Sequence, residues 1–197
     1  MSADLILKNI GKHITLNEEE TAYFSSLIHC KKLSRKSLLL AAGQDCRYLS
    51  YVSSGALRSY YVDKDGKEST VMFAIAEWWI TDMYCYLNNK PAMTYIEAIE
   101  DSTIFQISKT DFDRLLDKIP KFEKFFRILM QNAYTREQLR IIENLSSTAE
   151  ERYDSFLLKY PQIVKQVTQK QIASYLGITP EFLSAVRSAK IKSAAKK

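Results

Sequence analysis

Residues 168–187, TQKQIASYLGITPEFLSAVR, constrain the fold more than any other stretch, because their punctuation dictates two short helices joined by a tight turn. Thr168 is placed to N-cap the first helix, and Gln171 completes a Thr-x-x-Gln capping box three residues on. Gly177 supplies the turn, where a positive φ costs a residue without Cβ little. Thr179 caps the second helix, and Pro180 takes its first position, where a missing N–H does no harm. Ile172, Leu176, Ile178, Leu183 and Val186 fall where the helices would face each other, and Ala173 is small enough to let them cross closely. This is the plan of a helix-turn-helix, whose second helix enters the major groove of DNA.

Charge is concentrated at the same end. Residues 165–197 carry seven cations (Lys165, Lys170, Arg187, Lys190, Lys192, Lys196 and Lys197) against Glu181 alone. Residues 1–164 hold 21 Lys or Arg against 22 Asp or Glu. The basic character therefore belongs to the end of the chain that carries the helix pair, where it attracts a polyanion with a strength that falls as salt rises.

A chain of 197 residues, 46% hydrophobic and 26% charged, is large enough for one domain or two modest ones. No run is long and apolar enough to span a membrane, and the opening MSADLILKNIGKHITLNEEE lacks a signal-peptide layout, so a cytoplasmic setting is expected. Cys30, Cys46 and Cys85 are too scattered for a disulfide framework. His29–Cys30 is the only close pair of metal-ligand types, and it lacks the further ligands a structural metal needs. No nucleophile–base motif, phosphate loop or metal spacing points to an enzyme.

Asn17 and three glutamates predict a helix over 17–30, with Tyr23, Phe24, Leu27 and Ile28 at helical spacing. From about 38 to 108, short apolar runs alternate with turn signals, including Lys64-Asp65-Gly66-Lys67, and predict a small antiparallel barrel or sandwich. Helical spacing returns after Ser108: Ser108 or Thr110 caps a short helix, and Pro120 opens a long one to about Leu145. The apolar arc of that long helix is wider than one core-facing stripe requires. Phe126, Met130, Ala133 and Ile141 are its candidate contacts with a two-fold mate. A further helix over roughly 149–160 leads into the motif.

In this order, the chain resembles the Crp/Fnr superfamily of bacterial transcription regulators, particularly members common in Bacteroidetes. The resemblance rests on Val52-Ser53-Ser54-Gly55-Ala56-Leu57-Arg58, on Pro91 to Ala98, and above all on Gln169 to Glu181. It implies an α+β fold. An N-terminal antiparallel β-roll of the cyclic-nucleotide-binding type with flanking helices would fill 1–119, a dimerisation helix 120–145, and a C-terminal, winged helix-turn-helix 146–197. It also implies double-stranded DNA and a second copy of the chain as partners, with RNA polymerase a further candidate.

Nucleotide-binding members hold the cyclic phosphate with an Arg-Ser pair and the ribose with an earlier acid. Asp82 stands where that acid would be, but Ala92 and Met93 occupy the Arg and Ser positions and offer no side-chain donor. Cyclic AMP and cyclic GMP are therefore not expected to bind. Trp79, Asp82, Ala92 and Met93 are the candidate effector-pocket residues, and no effector is identified. Three scattered cysteines do not supply an iron–sulfur cluster, and no cofactor is expected.

Thr168, Gln169 and Lys170 are candidate phosphate contacts, as are Arg187 and Lys190 later in the second helix. Thr179 and Pro180, which open the second helix, are further DNA-binding candidates, and Glu181, Ser184, Ala185 and Ser188 are spaced to face the groove together, with Glu181 the strongest base reader. Ala185 stands where relatives commonly present Arg, which keeps open an alternative: a ligand- or protein-binding module whose DNA-binding motif has degenerated.

Overall fold

The computed structural model describes residues 3–164 and 166–194, with side chains through Lys190. The chain divides into two compact units, Met1–Ser59 with Phe73–Tyr134, and Tyr60–Met72 with Thr135–Lys197.

Two helices open the first unit, α1 (Asp4–Gly11) and α2 (Glu18–Leu27). The strands are β1 (Ile28–Leu33), β2 (Leu38–Leu40), β3 (Tyr48–Ser54), β4 (Ala56–Val62), β5 (Glu68–Ile75), β6 (Trp79–Ile80), β7 (Tyr95–Ala98) and β8 (Ser102–Ser108), with α3 (Met83–Asn88) between β6 and β7. They build two four-stranded sheets, β1-β8-β3-β6 and β2-β7-β4-β5, giving the antiparallel β-roll that the family resemblance implies, where the alternation of short apolar runs predicts a small barrel or sandwich. Leu49, Tyr51, Leu57, Phe73, Ile96 and Ile104 fill its core. Arg58 is buried on β4 and pairs with Glu97 on β7 at 2.7 Å.

The start of α2 is fixed by the expected cap. Asn17 Oδ1 accepts from Glu20 N at 2.8 Å, and Glu20 Oε2 accepts from Asn17 N at 2.9 Å. Its end corrects the expected helix over 17–30. Ile28 starts β1 instead, because residues 28–33 pair antiparallel with β8 in the register Ile28↔Ile107. That long-range ladder outweighs the local helical spacing. His29 and Cys30 are consecutive on this strand, so their side chains leave on opposite faces.

After β8, Ser108 caps α4 (Lys109–Lys118), its Oγ accepting from Asp111 N at 3.0 Å. The long helix follows as α5 (Lys121–Ser146). Aromatic packing anchors its first turns: Phe122 stacks on Phe24 at 5.2 Å, Phe125 meets Trp79 at 5.8 Å, and Phe126 meets Phe112 at 5.0 Å. The boundary between the units falls inside α5 rather than at its ends. The far end of the β4–β5 hairpin is counted with the second unit.

In that unit, α6 (Ala149–Lys159) begins with a Thr148–Glu151 capping box. The helix pair follows as α7 (Gln169–Leu176) and α8 (Pro180–Ala194). Phe156, Tyr160 and Tyr175 pack their rings together, with centroids 5.2 to 5.7 Å apart, and tie α6 to α7. No strand follows β8 among the described residues, so they form no wing.

Candidate nucleic-acid interface and effector cassette

The helix pair is built by the punctuation read from sequence. Thr168 Oγ1 accepts from Gln171 N at 3.2 Å, and Gln171 Oε1 accepts from Thr168 N at 2.9 Å. Gly177 ends α7 with φ +69°. Thr179 Oγ1 accepts from Phe182 N at 3.2 Å and starts α8. Ile172, Ala173, Leu176, Leu183 and Val186 are buried, and Ile178 is half-buried.

What remains outward is a narrow, mostly neutral face. Glu181, Ser184, Ala185 and Ser188 are exposed on α8, and Pro180 and Arg187 are half-buried. Thr168, Gln169 and Lys170 are exposed at the start of α7, and Thr179 at the turn. Lys190, an expected phosphate contact, donates its Nζ to Asp154 Oδ1 on α6 at 2.6 Å. Lys165, Lys196 and Lys197 lie outside the described residues, as does the side chain of Lys192. Sequence reading missed Phe182, which is 53% exposed in the first turn of α8. The available signal was a large apolar residue directly beside core Leu183, hence off the buried stripe.

A second missed feature braces α7. Arg140 on α5 donates Nη2 to Thr70 O at 2.8 Å and to Tyr175 O at 3.3 Å, and Nη1 to Val71 O. Its guanidinium lies 4.4 Å from the Tyr175 ring centre. Ser174 accepts from Thr70 N at 2.7 Å.

The expected effector residues lie on β6 (Trp79), at the cap of α3 (Asp82) and in the loop before β7 (Ala92 and Met93). Trp79 is half-buried, donates Nε1 to Asn9 Oδ1 at 3.2 Å and packs its ring 5.3 Å from Tyr51. Ala92 is buried and Met93 is exposed. Asp82 is 6% exposed and saturated with donors. Oδ1 accepts from Cys85 N at 3.1 Å, while Oδ2 accepts from Met93 N, Thr94 N and Thr94 Oγ1, each at 2.9 Å. Burial pushes its pKa up, but these hydrogen bonds outweigh it and hold the carboxyl below the ordinary aspartate value. Its acceptor capacity is thus committed inside the protein.

On the long helix, Met130 and Ala133 are half-buried, and Phe126 is engaged with Phe112 in its own chain. Tyr134, Ile141 and Leu145, respectively 70%, 59% and 84% exposed, follow on one face at intervals of seven and four.

A β-roll with a helical cassette, a long helix and a helix-turn-helix define a two-module DNA-binding regulator. Comparison with known proteins agrees. The cyclic nucleotide-binding domain family matches residues 30–119. The fumarate and nitrate reduction regulatory protein of Vibrio cholerae is 28% identical over 182 residues, covering 86% of this chain and 72% of its own length. The regulatory protein HlyX of Actinobacillus pleuropneumoniae is 26% identical, covering 86% and 75%. Among solved structures, FixK2 of Bradyrhizobium japonicum superposes with a TM-score of 0.74 at 18% identity, over 85% of this chain and 86% of its own. A Crp/Fnr-family regulator of Eubacterium rectale gives 0.73 at 20%, over 90% and 85%. Over most of its length the chain is thus similar to regulatory proteins of this kind, and its fold is that of a Crp/Fnr-family regulator.

Proposed function

We propose that the protein is a cytoplasmic homodimer that binds double-stranded DNA through α8 and regulates transcription without a cyclic nucleotide. The observation that carries the DNA reading is the capped α7–Gly177–α8 unit with Glu181, Ser184, Ala185 and Ser188 on its open face. Glu181 is the base reader, suited to accept from cytosine N4. Lys170 and Arg187 hold phosphates, helped by Thr168 and Gln169. Thr179 and Pro180 set the entry of α8. With Ala and Ser beside Glu181, direct readout is modest, and DNA deformability contributes the rest.

The dimer reading is supported by the exposed Tyr134, Ile141 and Leu145, which a second copy of α5 would cover. The absence of a nucleotide response is supported by Asp82, whose oxygens are taken, and by Ala92 and Met93, which bring no donor side chain. The test is selection of bound sequences from random DNA, followed by gel shifts at two salt concentrations. A selected site should bind far more tightly than scrambled DNA, with both affinities falling as salt rises. Equal affinity for the two would defeat the reading. Titration calorimetry with cyclic AMP should show no saturable heat.

A further inference from the structure

The hydrogen bonds to Asp82 exceed what a helix cap needs. The cap of α3 uses Oδ1 and Cys85 N alone. Oδ2 collects three more donors from residues 93 and 94, across the intervening loop, and none of them belongs to α3. Three donors converging on one buried oxygen make an anion cradle, since charge-assisted hydrogen bonds out of water are the strong ones. Two of those donors are main-chain N–H groups at and just after the position where the family resemblance puts a phosphate contact.

We infer that the cassette is a self-occupied anion site, in which the Asp82 carboxylate is the resident ligand and takes the place of a small external oxyanion. A tethered carboxylate acts at a high effective concentration, in the millimolar range or above, so a free oxyanion competes poorly for the same donors. The cassette is therefore closed without an effector. Truncating the side chain leaves these part-buried donors without their acceptor and opens a space the size of one carboxylate. A monocarboxylate such as formate has both the charge and the dimensions to enter it.

This deepens the effector-free reading above, and the two fail separately. The test is thermal unfolding of the full chain as wild type, Asp82→Ala and Asp82→Asn, in sodium formate against sodium chloride of equal ionic strength at neutral pH. Both variants should melt below wild type by about 4–10 °C, as expected where part-buried donors lose a carboxylate acceptor in a chain of this size. Formate should raise the Tm of Asp82→Ala saturably and leave the other two unchanged, because Asn still fills the space. Formate shifts that are equal in all three proteins, or absent from Asp82→Ala, overturn the inference. If Asp82→Ala does not fold, acid titration of the wild type by NMR decides. The Met93 and Thr94 amide signals should move together with one midpoint below that of an ordinary aspartate, and amides that do not titrate overturn it. Failure of the cradle with no cyclic AMP heat removes this inference and leaves the effector-free reading standing.

Discussion

Thr70 and Ser174 meet hydroxyl to hydroxyl at 2.7 Å, and the Thr70 N–H donates to the same Ser174 oxygen. Thr70 is buried on β5 and Ser174 lies on α7, so the hairpin end carries a polar tie to the first helix of the DNA-binding motif. Ser174→Ala strands a buried N–H and should cost about 1–3 kcal/mol. Thr70→Val removes one hydroxyl but keeps the N–H bond, so it should cost less, about 0.5–1.5 kcal/mol. Arg140→Gln breaks the neighbouring bonds to Thr70 O and Tyr175 O. Urea unfolding of Ser174→Ala with Arg140→Gln should show non-additive losses, coupled by more than about 0.5 kcal/mol. Additive losses would mean that the two ties act independently.

Acid stability follows from Asp82. Its folded pKa lies below the ordinary aspartate value, so the carboxylate contributes stability above that value and loses it as pH falls through the folded pKa. Glu20, bonded to Lys121 and to Asn17 N, and Glu151, bonded to Thr148, are also lowered and titrate in a similar acid window. Asp82→Asn isolates the Asp82 contribution. The gap in unfolding free energy between wild type and this variant should be constant near neutral pH and narrow below about pH 4. A gap independent of pH down to pH 2 would assign the loss to packing instead.

The legible parts of the fold are those with local signals. Thr168, Gln171, Gly177 and Pro180 mark helix ends within a few residues, and the hairpin turn at Gly66, with φ +78°, was readable for the same reason. What was hidden depends on distant partners. β1 carries an edge strand's polar pattern and exists through pairing with β8, about seventy residues on. α1 and α3 are too short for a strong periodic signal. Asp82 was legible as the acid of the cassette, but its engagement by residues 93 and 94 is a property of the closed loop. The ion pair between Lys190 and Asp154 was hidden for the same reason, since it joins two helices 36 residues apart.

Gly55 has φ +86°, and a Cβ there would lie 2.3 Å from Ser102 Oγ and 2.7 Å from the Asp101 carbonyl oxygen. Gly66 has a similar φ with nothing within 4 Å. Gly66→Ala should therefore cost only the left-handed conformation, about 1–2 kcal/mol. Gly55→Ala adds the clash with backbone and should cost clearly more, in excess of about 2 kcal/mol. Equal unfolding midpoints for the two variants would contradict this close approach.

The dimer is tested on α5. Ile141→Asp or Leu145→Asp puts a charge on the stripe that a second copy would cover, and light scattering at tens of micromolar should report a monomer. Leu158→Asp, at an exposed position on α6, should leave the wild-type mass unchanged. A wild-type monomer at that concentration, or all three variants behaving alike, rules out α5 as the dimer seam.

Positioning and reading of DNA should separate by mutation. Lys170 is exposed at the start of α7, and Arg187 lies half-buried late in α8, so both are placed for backbone rather than for base edges. Lys170→Ala and Arg187→Ala should weaken binding to selected and scrambled DNA alike, each lowering the salt slope by about one. Lys190→Ala should lower it less, because Asp154 already holds that ammonium. Glu181→Ala should relax the preference at one base pair, losing about 1–3 kcal/mol of discrimination, with little change on scrambled DNA. Gel shifts over a salt series on both DNAs separate these outcomes. If Glu181→Ala and Lys170→Ala lower both affinities by the same factor, Glu181 is not the base reader and specificity must come from DNA shape.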